Sequence, residues 1–138
     1  MKTLVVYYSK TGNTRRVAEA VIAVLGCDSD ALAYDEAAKT ARGAREPGAY
    51  EHVVLLSPVW AFSLAAPMKL YLAAHKTAIK RYSLIVTCGR MGLTGCVRNC
   101  KAALGRAPDA AMKIRARDAA AGVFDVSGVV AAARGGVQ

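Results

Sequence analysis

Three strand-like runs, Leu4–Tyr8, His52–Leu56 and Tyr82–Thr87, lie far apart in the chain, and each leads through a polar or glycine-rich loop into a helical pattern. The continuous apolar run of His52–Leu56 marks a strand buried on both faces, the condition inside a parallel sheet. Parallel neighbours need crossover segments, and the intervening stretches are long enough to supply them as helices. The first, Arg15–Leu25, sets Val17, Ala18, Val21, Ile22 and Leu25 on one face, opposite Arg15, Arg16 and Glu19, and Gly26 marks its stop. The alternation predicts an α/β chain with helices on both faces of a parallel sheet. At 138 residues the whole chain, 1–138, makes one domain large enough for a real core.

The remaining segments follow from local chemistry. A short edge strand is predicted within Cys27–Ala33, where Asp28 and Asp30 argue against a central position. Ala37–Arg42 suggests one or two helical turns before Pro47-Gly48 breaks the chain, and His52 reads as an ordinary surface or boundary histidine. Ser57–Ala66 reads as a loop, after which Pro67 fits a first helical turn. Met68, Tyr71, Leu72 and His75 share one helical face, with His75 at the C-terminal end. Beyond the Gly89–Gly95 loop, Thr94 is placed to cap a helix whose stripe (Cys96, Val97, Cys100, Ala103, Leu104) ends at Gly105. Ala110–Arg117 alternates as an edge strand with one wet face. A short helix is predicted from Asp125 or Ser127 to Arg134, with fraying at Gly135-Gly136.

The loop after the first strand carries the chemistry. Ser9-Lys10-Thr11-Gly12-Asn13-Thr14 stands at a strand-to-helix turn, where unpaired backbone N–H groups and the positive end of a helix dipole converge. Ser9, Thr11 and Thr14 add hydroxyls, Asn13 an amide, and Gly12 permits close backbone approach; the set forms a phosphate socket. A helix cap alone needs one such residue. The loop lacks the Lys-Ser/Thr ending of a nucleotide-triphosphate loop and the Gly-x-Gly-x-x-Gly of a dinucleotide site. Lys10 precedes the helix and reads as solvated.

Ser-x-Thr-Gly-Asn-Thr after an N-terminal apolar strand resembles the phosphate loop of flavodoxins and related FMN proteins. Ser57-Pro58-Val59-Trp60 and Thr87-Cys88-Gly89 stand where that family has its two isoalloxazine loops. The resemblance implies a three-layer doubly wound sandwich around a five-stranded parallel sheet of order 2-1-3-4-5, with FMN as cofactor. It implies the phosphate on Ser9–Thr14 and the ring between Ser57, Pro58, Val59, Trp60, Ala61 and the loop bearing Cys88, Gly89, Arg90 and Gly92. Trp60 either faces the flavin or covers the sheet end; Arg90 either reaches the pyrimidine edge or is solvated; Met91 or Leu93 is placed to lie against the ring. The chain departs from the family at Leu56, where many relatives have glycine, and at Ala61-Phe62-Ser63, where relatives commonly carry one. A residue with a Cβ there makes a backbone flip into the left-handed region costlier, by about 1 kcal/mol.

The formal charge of +9 is concentrated between Lys76 and Arg117, where ten Lys/Arg face one acid, Asp109. Electron-shuttling flavodoxins are typically acidic, so this balance is unlike the family's. It favours an acidic redox partner protein or an anionic small-molecule substrate. Nucleic acid is disfavoured, because the basic block lacks interleaved aromatics and any reading motif. Cys27, Cys88, Cys96 and Cys100 show no Cys-x-x-Cys spacing for a metal. Cys96 and Cys100 belong to a helical stripe, while Cys88 ends a strand at the ligand face, either as lining or as a reactive thiol. No Ser/His/Asp set or carboxylate pair is visible. No apolar stretch approaches the ~20 residues of a membrane span, and no secretory pattern opens the chain. The expectation is a cytoplasmic FMN protein carrying electrons. Its alternatives are an NAD(P)H-dependent flavin or quinone reductase and an interaction module that has lost FMN.

Overall fold

The computed structural model describes residues 2–135. The chain runs β1 (Thr3–Tyr7), α1 (Asn13–Leu25), β2 (Asp28–Ala31), β3 (Ala33–Asp35), β4 (Thr40–Arg42), β5 (His52–Trp60), β6 (Ser63–Leu64), α2 (Ala66–Ala74) and β7 (Tyr82–Cys88). It continues through α3 (Leu93–Leu104), β8 (Ala111–Arg115), α4 (Ala116–Ala121) and α5 (Ser127–Ala133). The central sheet has the order β2-β1-β5-β7-β8, these five strands parallel to one another, with the two-residue β6 added antiparallel to the end of β5 as a sixth strand that was not expected. Counted along the chain, those five strands give 2-1-3-4-5, the flavodoxin-like order expected.

Side-chain alternation sends each strand's residues into two cores. Leu4, Val6, Val53, Leu55, Leu84 and Val86 pack against Met68, Tyr71 and Leu72 of α2 and Cys96, Cys100 and Leu104 of α3. On the opposite face Val5, Val54, Leu56 and Ile85 meet Val17 and Val21 of α1, Ala119 of α4, and Val129 and Val130 of α5. Burying each large apolar side chain is worth about 1.5–3 kcal/mol, which fixes register because a one-residue slip would exchange the two cores. Leu56, at the family's glycine position, is one of these core residues.

Several segments differ from the sequence expectation. Residues 37–42 form no helical turns; β3 and β4 pair as an antiparallel hairpin. Asp35 Oδ1 accepts from the Ala38 N–H at 3.1 Å, an Asx-type turn that diverts the backbone from the helix, and Lys39 reaches φ 55°. Asp30 is buried, and its carboxylate accepts from the N–H groups of Ala44 (2.8 Å) and Arg45 (2.9 Å), tying the return of the hairpin to β2. The predicted loop from Ser57 is instead strand as far as Trp60, extended by pairing with β6. Gly92 rather than Thr94 stands at the α3 N-cap. Arg117, expected in the edge strand, lies in α4, because Ala116–Ala121 is rich in alanine and buries Ala119 against the sheet.

His52 is not a boundary residue. Its ring is wholly buried, with Nε2 2.8 Å from Ser83 Oγ and Nδ1 3.7 Å from Asp109 Oδ2. Burial, with the nearby Arg81 guanidinium, lowers its pKa to about 4, against a smaller opposing pull from Asp109. Gly136, expected to fray, lies outside the described residues.

Candidate functional site

Strand β1 crosses through α1 to β2 on one side, while β5 crosses through α2 to β7 on the other. The crevice over the carboxyl ends of β1 and β5 is therefore the topological switch point of the sheet. The loops after β1, β5 and β7 meet there.

In the first loop Gly12, at φ 101°, serves as the N-cap of α1 and makes no side-chain cap. That backbone conformation requires glycine. Ser9 Oγ accepts from the N–H groups of Gly12 (3.1 Å) and Arg15 (3.2 Å), so this side chain folds the loop and keeps one O–H to donate. Among the described residues, the N–H groups of Thr11, Asn13 and Thr14 have no partner within the chain. Asn13 Oδ1 accepts from Arg16 Nη1 at 3.2 Å, leaving its NH2 free to donate. Thr14 Oγ1 is buried 2.8 Å from Thr87 Oγ1, pinning the start of α1 to the end of β7. What remains open is a cluster of backbone N–H groups with the Ser9 and Thr11 hydroxyls, the donor chemistry a phosphate dianion takes.

The second wall is the hairpin of β5 and β6. Val59 pairs with Leu64 and Trp60 with Ser63, so Ala61 and Phe62 form a two-residue turn with φ of 51° and 64°. A mirror-image hairpin turn needs positive φ at both places. Neither residue is glycine, so the turn stores about 1–2 kcal/mol per residue. The left-handed conformation that lack of glycine was expected to hinder is thus already occupied. Helix α3 holds the hairpin down: Asn99 Oδ1 accepts from the Leu64 N–H at 3.0 Å, and a Cβ built at Gly95 would stand 2.0 Å from the Phe62 carbonyl oxygen. Gly92 packs on Val59 in the same way. Ser57 is wholly buried; its hydroxyl accepts from the Ala65 N–H (3.1 Å) and donates to the Pro58 carbonyl (2.8 Å). Ser57 and Gly92 therefore shape the walls rather than line them.

Two adjoining depressions share Val59 and Gly89. One, of about 220 Å³, brings together Lys10, Thr11, Asn13, Thr14, Pro58, Trp60 and Cys88. The other, of about 320 Å³, is lined by Ala61, Phe62, Arg90 and Met91 besides the shared pair. Trp60 lines the first depression and packs edge-on against Tyr8 at 5.8 Å. Lys10 Nζ sits 5.8 Å from the Trp60 ring centroid. Arg90 is exposed, and its carbonyl accepts from Lys113 Nζ at 3.1 Å. Burial pushes the Cys88 thiol pKa up against the pull of Lys113 and Arg115, which keeps it protonated and removes the basis for a reactive thiolate.

Sequence reasoning assigned no site role to Phe62, Asn99 or Ala116, which line or brace these depressions. Only Phe62 carried a readable signal, as a second aromatic beside Trp60 in the stretch read as a loop. Wider depressions exist elsewhere, of about 360 Å³ beside Cys27 and Tyr50 and about 660 Å³ between α1 and α5. Neither lies where the strand-end loops converge. His52, Ser83 and Asp109 form an unforeseen row, but the two buried members are out of reach of any substrate, and 3.7 Å is too long for a hydrogen bond to Asp109. Among the described residues, no helix is long and apolar enough to cross a membrane and no His/Cys/Asp/Glu group could hold a metal ion.

The fold and the switch-point crevice define the flavodoxin-like class of α/β sandwiches. The chain is similar to a flavoprotein of Lactobacillus acidophilus NCFM solved in complex with FMN, at 17% identity over 81% of this chain and 92% of that one, with a TM-score of 0.71. It is also similar to a flavodoxin, WrbA-like protein of Agrobacterium tumefaciens (16% identity, 99% of each chain, TM-score 0.66). A third likeness is to a Fusobacterium nucleatum flavodoxin bound to flavin mononucleotide (16% identity, 80% of this chain and 69% of that one, TM-score 0.56). No protein-family model matches the chain, and no curated protein sequence does.

Proposed function

We propose that this chain binds FMN at the switch-point crevice and works as a flavodoxin-like electron carrier. The observation that carries the reading is the junction of open amides at the start of α1 with a slot between two loops that share Val59 and Gly89. The donor set fits the group: three free N–H groups and two hydroxyls suit a phosphate, and an apolar slot with exposed backbone suits a flat ring. Two of the similar structures described above were solved with FMN, which supports the same reading.

The backbone N–H groups of Thr11, Asn13 and Thr14 would hold the phosphate, with the Ser9 and Thr11 hydroxyls donating beside them. Trp60, Val59 and Gly89 would flank the ring. Bound FMN supplies one- and two-electron redox chemistry, while the protein orients the ring and sets its surroundings. Arg90 and Lys113 place positive charge at the rim, which favours an anionic state of whatever lies in the slot.

The test is to add FMN to the purified chain, remove excess by gel filtration and record the visible spectrum. A yellow 1:1 complex that dithionite bleaches and a second redox protein re-oxidises is expected. A colourless chain after saturating FMN would replace this reading with that of an interaction module.

A further inference from the structure

The rim of the crevice has a composition that FMN binding does not require. Phe62 is 68% exposed and Met91 67% exposed, although both are large and apolar. They line the same depression from opposite loops. Phe62 is held outward by a turn in the left-handed region, anchored beneath by α3 through Gly95 and Asn99. Cations surround the pair. Arg90 lies next to Met91, Lys113 Nζ holds the Arg90 carbonyl, and Lys69 Nζ donates to Ser63 Oγ at 3.3 Å, one residue from Phe62. Lys10 closes the far side over Trp60. Among the described residues, no acidic side chain lines either depression.

The geometry points to a docking surface for an acidic protein, centred on Phe62 and Met91 and ringed by Lys10, Lys69, Arg90 and Lys113. An exposed apolar centre inside a charged rim is the anatomy of a protein interface, in which buried apolar anchors supply affinity and the rim charges steer the encounter. A small anion would need the cations alone and would leave two large apolar side chains in water. The charge sign selects the occupant: a partner whose own docking face is rich in Asp and Glu. The inference rests on the proposed function, because docking at this rim would bring a partner's redox centre to the ring edge.

The probes are an acidic plant-type [2Fe–2S] ferredoxin and, as its opposite in charge, a basic c-type cytochrome. Each is added to the 15N-labelled chain, with and without FMN, and backbone amide shifts are followed at about 20 and 200 mM salt. The ferredoxin is expected to shift residues 61–63, 90–91 and 113, with binding falling about tenfold across the salt range. Phe62→Ala and Arg90→Glu are each expected to weaken it by about tenfold. Shifts elsewhere, no shifts, equal binding of the cytochrome, or insensitivity to both variants would overturn the proposal. The same residues shifting with NADPH but not with ferredoxin would overturn it in favour of a small anion. Because the chain without FMN is also measured, docking can stand where FMN binding fails, and FMN binding can stand where docking fails.

Discussion

At the scale of single residues, two buried contacts make sharp claims. His52 is neutral in the folded chain because burial lowers its pKa to about 4, whereas an unfolded histidine titrates near 6.5. Above pH ~6.5 both states are neutral and the group has no effect on stability. As pH falls toward 4 only the unfolded chain takes the proton, so stability drops by about 3 kcal/mol, and below about 4 this contribution flattens. Urea unfolding between pH 8 and pH 4 should show that loss in the wild type. His52→Gln should start less stable, having changed the partner of Ser83, and should lose about 3 kcal/mol less over the same range. A variant with an unchanged pH slope would contradict the assignment. Gly95 makes a different claim, since its added Cβ would stand 2.0 Å from a backbone oxygen that cannot swing away. Gly95→Ala should cost about 1–3 kcal/mol in urea unfolding, the range for overpacking, and should disturb the Ala61–Phe62 turn. A neutral effect would mean that α3 and the hairpin are not in contact.

At the scale of elements, the pair Thr14–Thr87 ties α1 to β7 beneath the crevice. Either Thr→Val change should cost about 1–3 kcal/mol by orphaning a buried hydroxyl, while the double change should cost less than the sum. A double-mutant cycle by urea unfolding reads the coupling, and strict additivity would refute it. The elements differ in how openly the sequence announced them. Strands β1, β5 and β7 stood out because each is covered on both faces and carries an unbroken apolar run. The same holds for α1, whose Val17, Ala18 and Val21 face the core at helical spacing and whose Gly26 ends it. The β3–β4 hairpin was hidden because its stability comes from Asp30 and Asp35 carboxylates on loop amides, contacts that no periodicity records. Residues Ser57–Trp60 read as loop because a polar Ser-Pro pair is tolerated in a strand once Ser57 is satisfied internally. His52 looked like a surface residue because its partner Ser83 lies on a strand 31 residues away. Of the candidate site, the donor loop was legible from Ser9 to Thr14, since its residues are contiguous. The second wall was not, because Phe62 depends on a strained turn and Asn99 reaches it from another element.

At the scale of the whole molecule, the sheet fixes where three loops meet, and the charge distribution gives that edge a basic rim around an apolar slot. The proposed function requires the amides at the start of α1 to seat the phosphate of a flavin whose ring lies beside Trp60. Trp60 is the single tryptophan, so its fluorescence reports on one place. The direct measurement is its quenching during titration with FMN and, separately, with riboflavin, which carries the same ring without the phosphate. Charge-assisted hydrogen bonds of about 1.5–3 kcal/mol each imply that FMN binds at least about 100-fold more tightly. Saturable quenching by FMN with that preference is the predicted result. Equal affinity for the two, or no quenching by either, would contradict the phosphate socket on which the reading is built.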